Sequence, residues 1–380
     1  MDVQECATAQ SRPSRLRRRN DVPSSRPRLS VVVVNYLRWD DTARLVQQLR
    51  RSSAAREGDA EVVIVDNHSP PHRLIPRLRR AWGVSLRRWK GNRGFARAVN
   101  EGCRLSQGDW VLLLNPDTTV PAGFLDDVLA RIDRYAPGVG IAGFRLHNGD
   151  GSRQLSTGRF PRLAATLTRL LLPRSVRKYT APPGERACQV DWVTGCCLLA
   201  RRDCLADVGG LDDAFFLYYE DVDLCRRARE RGWSVVFDPA VSVVHHRPLH
   251  ARAVPPHLRA ITRHALLTYA GTHWPGWQLP FLGGVMRAEA AARRAISWWR
   301  GDSEGYETFT ELDLLVQDVV RGDAESARGR LRRIVRRQES HRAAEPVDRR
   351  PQPQPSGPAA GLPAKRAAAH AAGHAAPRGR

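Results

Sequence analysis

The 380-residue chain lacks any uninterrupted apolar window of the roughly eighteen residues that a membrane span requires, so any membrane association is expected to be peripheral. Its Arg-rich start, Ser11-Arg12-Pro13-Ser14-Arg15-Leu16-Arg17-Arg18-Arg19, has no apolar stretch behind it and so lacks the middle part of a secretory signal. Cysteine is sparse: Cys6, Cys103, Cys188, Cys196, Cys197, Cys204 and Cys225 form an odd set without a C-x-x-C pair. That pattern argues against a disulfide framework and a zinc site, and it points to a reducing, cytoplasmic setting. The recognition-helix, zinc-finger and aromatic-sheet signatures of nucleic-acid binders are missing as well. Acids are outnumbered, 39 against 61 Lys and Arg, for a net charge of +22. Much of that excess sits at the ends, with seven Arg against three acids over 1–28 and thirteen Lys or Arg against five acids over 322–380. The remainder suits a protein that handles phosphorylated ligands near an anionic membrane surface. Tail-driven nucleic-acid binding is the rival reading, and specific nucleic-acid recognition is not expected.

What is present is a core. Apolar residues make up 42% of the chain, enough for one large domain or two small ones. Leu29 to Val34 is a continuous, mostly β-branched run that predicts a buried parallel strand. A helix capped by Asp40 or Asp41 is expected to run to about Arg51, followed by a second buried strand over 61–65 that ends at Asp66-Asn67. Further strands are predicted over 84–88, 110–114 and 139–144, with helices over 95–105 and from Pro121 to about Tyr135. This alternation predicts a doubly wound, mostly parallel α/β sheet. Residues 145–187 break the rhythm and read as a mobile, substrate-facing insertion. Structure is expected to resume at Val190, with strands over 233–237 and 241–244 ending at His245-His246. Residues 257–335 read as amphipathic helices, and from about Ser340 the composition is that of a solvated tail.

Two acidic clusters lie where apolar segments end. Asn115-Pro116-Asp117 follows Val111-Leu112-Leu113-Leu114, and Glu220-Asp221-Val222-Asp223 follows Phe215-Phe216-Leu217-Tyr218-Tyr219. Ligands of open α/β sheets bind outside the carboxyl ends of strands. A hard cation such as Mg²⁺ or Mn²⁺ needs only one or two protein oxygens when a diphosphate supplies the rest, and Asp117 is the expected ligand. An N-cap after a strand is the bland alternative. The second cluster opens a helix, where the macrodipole favours acids whatever their function. The aromatic approach can also desolvate one carboxylate for work as a general base, with Asp221 preferred and Glu220 in reserve. Asn92-Arg93-Gly94-Phe95 combines a glycine turn, a helix start and an arginine, all suited to phosphate oxygens.

Taken in order, these segments resemble family 2 glycosyltransferases of the rhamnosyltransferase-like type. The matching pieces are Val31 to Tyr36, Val63 to Asn67, Asn92 to Ala96, Leu112 to Asp117, Asp191 to Leu199, Gly209 to Asp212, Phe216 to Leu224 and Val243 to His246. The resemblance implies the glycosyltransferase A fold, a nucleotide-sugar donor (dTDP-, UDP- or GDP-linked), a divalent metal, and inversion at the anomeric carbon. It places Asn35, Asp66, Asn67, Asn92, Gly94, Phe95, Asn100 and Asn115 on the nucleotide and donor side. It puts Asp117 and His245 at the metal, Asp221 or Glu220 as base, and Trp192, Gly195 and Tyr219 around the sugar and acceptor. Cys196-Cys197 stands where small residues are usual, and Arg247-Pro248-Leu249-His250 lacks the usual glycine and serine. The implied organisation is a disordered tail over 1–28, a catalytic domain over 29–250, a helical extension over 251–335 and a second disordered tail over 336–380. The acceptor would be a growing glycan or a polyprenyl-linked saccharide, placing the protein in the cytoplasm at the inner membrane face. In the extension, tryptophans interleaved with arginines suit a helical cap on the catalytic domain, the preferred reading, or a surface at a bilayer interface. A non-catalytic sugar-binding relative is the remaining alternative.

Overall fold

The computed structural model describes residues 26–170, 179–180, 186–247 and 254–344. Most of both basic tails and part of the 145–187 insertion lie outside these residues. The first half alternates as the hydrophobic runs require: β1 (Leu29–Asn35), α1 (Trp39–Leu49), α2 (Ser53–Glu57), β2 (Ala60–Asp66), α3 (Ile75–Arg79), β3 (Val84–Arg88), α4 (Phe95–Leu105) and β4 (Trp110–Leu114). The second half is less regular, with β5 (Thr118–Thr119), α5 (Phe124–Ile132), β6 (Val139–His147), β7 (Arg153–Gln154), β8 (Thr157–Gly158), α6 (Leu163–Leu170), β9 (Cys188–Gln189), β10 (Trp192–Val193), β11 (Cys197–Arg201), α7 (Arg202–Val208), α8 (Glu220–Glu230) and β12 (Ser234–His245). Four helices close the described chain: α9 (Pro256–His273), α10 (Gln278–Trp299), α11 (Ser303–Val320) and α12 (Ala324–Ala344).

The main sheet has the order β3-β2-β1-β4-β11-β6-β12-β5. β1 through β4 pair in parallel, as do β6 and β12, whereas β11 runs antiparallel between β4 and β6. The sheet is therefore mixed and mostly parallel. Successive residues of β1 serve opposite faces. Val32 and Val34 join a core with α4, α8 and the C-terminal helices, while Leu29, Val31 and Val33 join one with α1, α2, α3 and α5. Since both faces are covered, these strands are apolar throughout rather than alternating. β2 and β4 lie on opposite sides of β1, so the order reverses there and opens a crevice at the carboxyl ends.

Three details differ from the expectation. α1 starts at Trp39 without a side-chain cap, and Asp40 and Asp41 lie in its first turn. Pro121 does not open α5, because Gly123 takes a left-handed φ of 73° and the helix starts only at Phe124. The segments around 233–237 and 241–244 are one strand, with a register break between Asp238 and Ser242. Pro239 has no N–H for a ladder, and the Asp238 carboxylate accepts from the Ala240 N–H, which makes a local bulge.

The C-terminal helices are bound to α8 through charge. Asp223, fully buried, accepts from Arg227 and contacts His273 Nε2 at 2.7 Å, and Arg226 donates to the Tyr269 hydroxyl at 3.2 Å. α12 continues past the expected boundary at 335. α9 and α10 are joined by Glu289, which accepts from Arg263 at 2.7 Å and from Arg293 at 2.9 Å. Burial alone raises the Glu289 carboxyl, but the hydrogen bonds and charges of Arg263 and Arg293 outweigh it and bring the value from 4.5 to about 2. A depressed folded value stabilises above the unfolded value and is lost as pH falls through the folded one, here from about 4.5 toward 2. Glu289→Gln should cost at most about 3 kcal/mol at neutral pH in urea denaturation, with the gap to wild type closing across that acid window.

Candidate active site

The crevice is lined by chain ends that the sheet delivers side by side. At the end of β1, Asn35 donates to Asp66 Oδ1 at 2.8 Å and to Ser69 Oγ at 3.0 Å, and accepts from Thr42 at 2.8 Å. Asp66 accepts a further bond from Arg88 Nε at 2.9 Å. Both residues are fully buried, so in this structure they set the floor of the crevice and orient Arg88 toward it. Asn67 closes the next loop, donating to Asn92 Oδ1 at 2.9 Å and to the Gly94 carbonyl at 3.2 Å, and accepting from the Arg93 N–H at 2.8 Å. Gly94 has a φ of 92°, and a Cβ there would stand 2.8 Å from the Phe216 carbonyl. The Phe95 N–H donates to that same carbonyl at 2.6 Å. The turn at 92–95 is therefore fastened to the aromatic approach that leads into α8.

Asn115-Pro116-Asp117 leaves β4 beside the segment leading into β11. The Asn115 N–H donates to the Cys196 carbonyl at 2.9 Å, and Cys197 pairs with Leu114. On the other side of that segment the Gly195 N–H donates to Asp221 Oδ2 at 3.0 Å, while the Val222 N–H donates to Oδ1 at 2.9 Å. Gly195 and Cys196 thus bridge the two acidic clusters. Glu220 is buried beside Asp221 in the same turn. The acids divide their roles: the N-cap of α8 is Tyr219, with no side-chain cap bond, Asp221 accepts a first-turn N–H as well as the Gly195 N–H, and Asp223 is engaged by Arg227 and His273. Tyr218 and Tyr219 both hold left-handed φ values, 74° and 66°. Such conformations cost on the order of 1–3 kcal/mol for non-glycine residues and cluster at functional sites.

His245 meets Asp117 because β12 pairs with β5 in the register His245↔Thr118. Its Nε2 lies 3.4 Å from Asp117 Oδ1. Burial raises the Asp117 carboxyl, but the bond and charge of His245, with Arg38 behind them, hold it below the ordinary aspartate value. It is accordingly ionised at neutral pH, as a cation ligand must be. On the far side of the ring, the Gln154 amide stands 3.0 Å from His245 Nδ1, and its buried Oε1 has no hydrogen-bond partner among the described residues. Turning the amide over lets Oε1 accept from Nδ1–H, which frees the Nε2 lone pair for a metal. One carboxylate and one imidazole are a sufficient protein share for Mg²⁺ or Mn²⁺ carrying a diphosphate. Cys196 lies near Asp117, but burial, with the Asp117 charge adding to it, keeps its thiol well above the ordinary value and protonated.

The structure does not bring every expected residue to the crevice. Asn100 donates to the Leu211 carbonyl and to Asp213, and accepts from the Leu211 N–H, fixing the loop after α7. Trp192 is 1% exposed, donates to the Arg159 carbonyl and packs 5.5 Å from the Tyr179 ring. It anchors the 145–187 insertion rather than facing an open pocket. Cys196 and Cys197 are likewise in the core. Residues that sequence reasoning passed over do reach the site. Glu339 on α12 accepts from the Tyr36 hydroxyl at 2.8 Å and from Asn92 Nδ2 at 3.2 Å. Arg38, Arg88 and Gln154 carry no local signal; each is identified only by its contact. Gly94→Ala should disrupt the joint between this turn and Phe216, lowering stability by at least about 1 kcal/mol in denaturant titration.

A sequence model described as glycosyl transferase family 2 matches residues 30–209. The N-acetylglucosaminyl-diphospho-decaprenol L-rhamnosyltransferase of Mycobacterium tuberculosis is 31% identical over 287 residues, which cover 70% of this chain and 91% of that protein. Rhamnosyltransferase WbbL of Escherichia coli K12 is 29% identical over 179 residues, 44% of this chain and 65% of that protein. Among solved structures, the mannosyltransferase PcManGT from Pyrobaculum calidifontis, in complex with GDP-Man and Mn²⁺, is 19% identical with a TM-score of 0.44, covering 79% of this chain and 88% of that one.

Proposed function

Because the chain belongs to glycosyltransferase family 2, whose members transfer a sugar from a nucleotide donor, we propose that it is an inverting rhamnosyltransferase. It uses dTDP-rhamnose and glycosylates a hydroxyl of a lipid-linked saccharide or growing cell-surface glycan. The observation that carries this reading is the pairing across Gly195-Cys196, with Asp117 and His245 on one side and Asp221 on the other. The choice of rhamnose is supported by the names of the Mycobacterium tuberculosis and Escherichia coli relatives, and that of a polyprenyl-linked acceptor by the name of the mycobacterial one alone.

Each group of the chain then has a defined task. The turn at 92–95 and the floor made by Asn35, Asp66 and Arg88 seat the nucleotide. Asp117 and His245 would hold Mg²⁺ or Mn²⁺, which would neutralise charge on the departing diphosphate. Arg38 adds positive charge beside Asp117. Asp221, held by two backbone N–H groups, accepts the proton of the acceptor hydroxyl as that oxygen bonds to the anomeric carbon. The bond from that carbon to the diphosphate oxygen breaks on the opposite face, and the configuration inverts. General-base assistance is worth on the order of 10²- to 10⁴-fold. Asp221→Asn should therefore reduce turnover by about that factor while donor affinity, measured by calorimetry, stays near wild type. Lost donor binding would make Asp221 a structural residue instead. Asp117→Ala should weaken donor binding only when metal is supplied; normal metal-dependent binding in that variant would remove Asp117 from the metal site.

A further inference from the structure

Helix α10 is apolar on its outside as well as on its inside. Inward, Leu282, Met286 and Ala290 are buried, and a Cβ at Gly283 would stand 2.5 Å from Val320, so the helix is seated against α11 without room to roll. Outward, Trp277 at its N-cap, Phe281, Ile296, Trp298 and Trp299 are 49–79% exposed. They account for most of the large apolar side chains exposed among the described residues. Between the aromatic ends the exposed positions are small, chiefly alanine and glycine, which leaves a flat stripe along 22 residues, about 33 Å. The helix contains a single acid, Glu289, and it is turned inward onto Arg259, Arg263 and Arg293. Of the charges beside the outer stripe, Arg287 is paired with Asp313 and Asp302 follows the C-terminal end, whereas Arg294 and Arg300 make no ion pair among the described residues.

An apolar stripe of this length on a monomer marks an interaction surface. Its chemistry selects the partner. Tryptophans at both ends suit the headgroup level of a bilayer, and arginines not held in an ion pair, Arg294 and Arg300, suit anionic lipid. We propose that the outer face of α10 docks flat on the surface of an anionic membrane, with Trp277, Phe281, Ile296, Trp298 and Trp299 inserted and the arginines on lipid phosphates. No described helix is long and apolar enough to cross a membrane, so this face acts at the interface. The docking helix connects to the proposed base through Glu289 to α9 and through His273 to Asp223 of α8. The surface stands on the fold, independently of the donor chemistry proposed above.

The test is sedimentation of the full chain with vesicles of phosphatidylglycerol and phosphatidylcholine in equal parts, beside Trp298→Ala/Trp299→Ala. It is run at low salt and at about 0.5 M salt, where tail electrostatics are screened. Both tryptophans are largely exposed, so the variant should match wild type in melting temperature. Wild type should pellet in both salts with a blue shift of tryptophan emission, and the variant should bind at least about tenfold more weakly at high salt. Equal binding of the two proteins would assign the association to the basic tails and overturn the proposal. Failure of wild type to pellet would overturn it as well. So would a wild-type dimer in solution that dissociates in the variant, since the stripe would then be covered by a second copy of the chain.

Discussion

The hydrogen bond from the Gly195 N–H to Asp221 is the joint on which the site depends. Gly195 and Cys196 are continuous with β11, and β11 is zipped antiparallel to β4 from Cys197↔Leu114 to Arg201↔Trp110. The same segment accepts from the Asn115 N–H through the Cys196 carbonyl. The separation of Asp117 from Asp221 is thereby set by a strand ladder rather than by two independent loops. In the proposed reaction a donor meets Asp117 and Asp221 in one fixed relation, and effects of this kind fall steeply when the reacting groups are displaced by an ångström. The antiparallel strand β11, set between β4 and β6, supplies that relation, because its starting end lies beside the finishing end of β4.

α8 shows how one acidic run can be divided among several tasks. Asp221 faces Gly195, Asp223 turns to Arg227 and His273, and the chain enters through two left-handed tyrosines. The strain at Tyr218 and Tyr219 is offset by the bond from the Phe95 N–H to the Phe216 carbonyl and by the packing of Tyr219 against Tyr269. The turn at 92–95, α8 and the C-terminal helices are consequently one connected structure. Glu339 completes the connection by bringing the last turn of the described chain to Tyr36 and Asn92.

Much of this was legible in the sequence. Buried parallel strands read as apolar runs, β-branched in β1 and β2 and leucine-rich in β4, which is why these strands and the acidic exits at Asp66 and Asp117 are visible without a structure. The family resemblance and the mostly parallel sheet followed from the order of the motifs; the resemblance implied Asp117 and His245 at one metal, and the structure sets His245 Nε2 3.4 Å from Asp117. What was hidden depends on contacts across the chain. Asn100 sits inside a matching region, yet its amide is taken up by the loop at 211–213. Trp192 lies in a motif that suggests a pocket wall but packs in the core, since a large indole is more stable there with its N–H satisfied by Arg159. Gln154 and Glu339 carry no local mark, because a strand register and a helix packed far along the chain decide what they touch.

In the proposed function Asp117 and His245 form a metal-dependent seat for a nucleoside diphosphate. The most direct measurement is a thermal-shift panel of dTDP, UDP and GDP on the full chain, each with and without Mn²⁺, since a ligand of the native state must raise its stability. A rise with dTDP that requires Mn²⁺ is the expected result. No rise for any nucleotide, or an equal rise without metal, would contradict the claim.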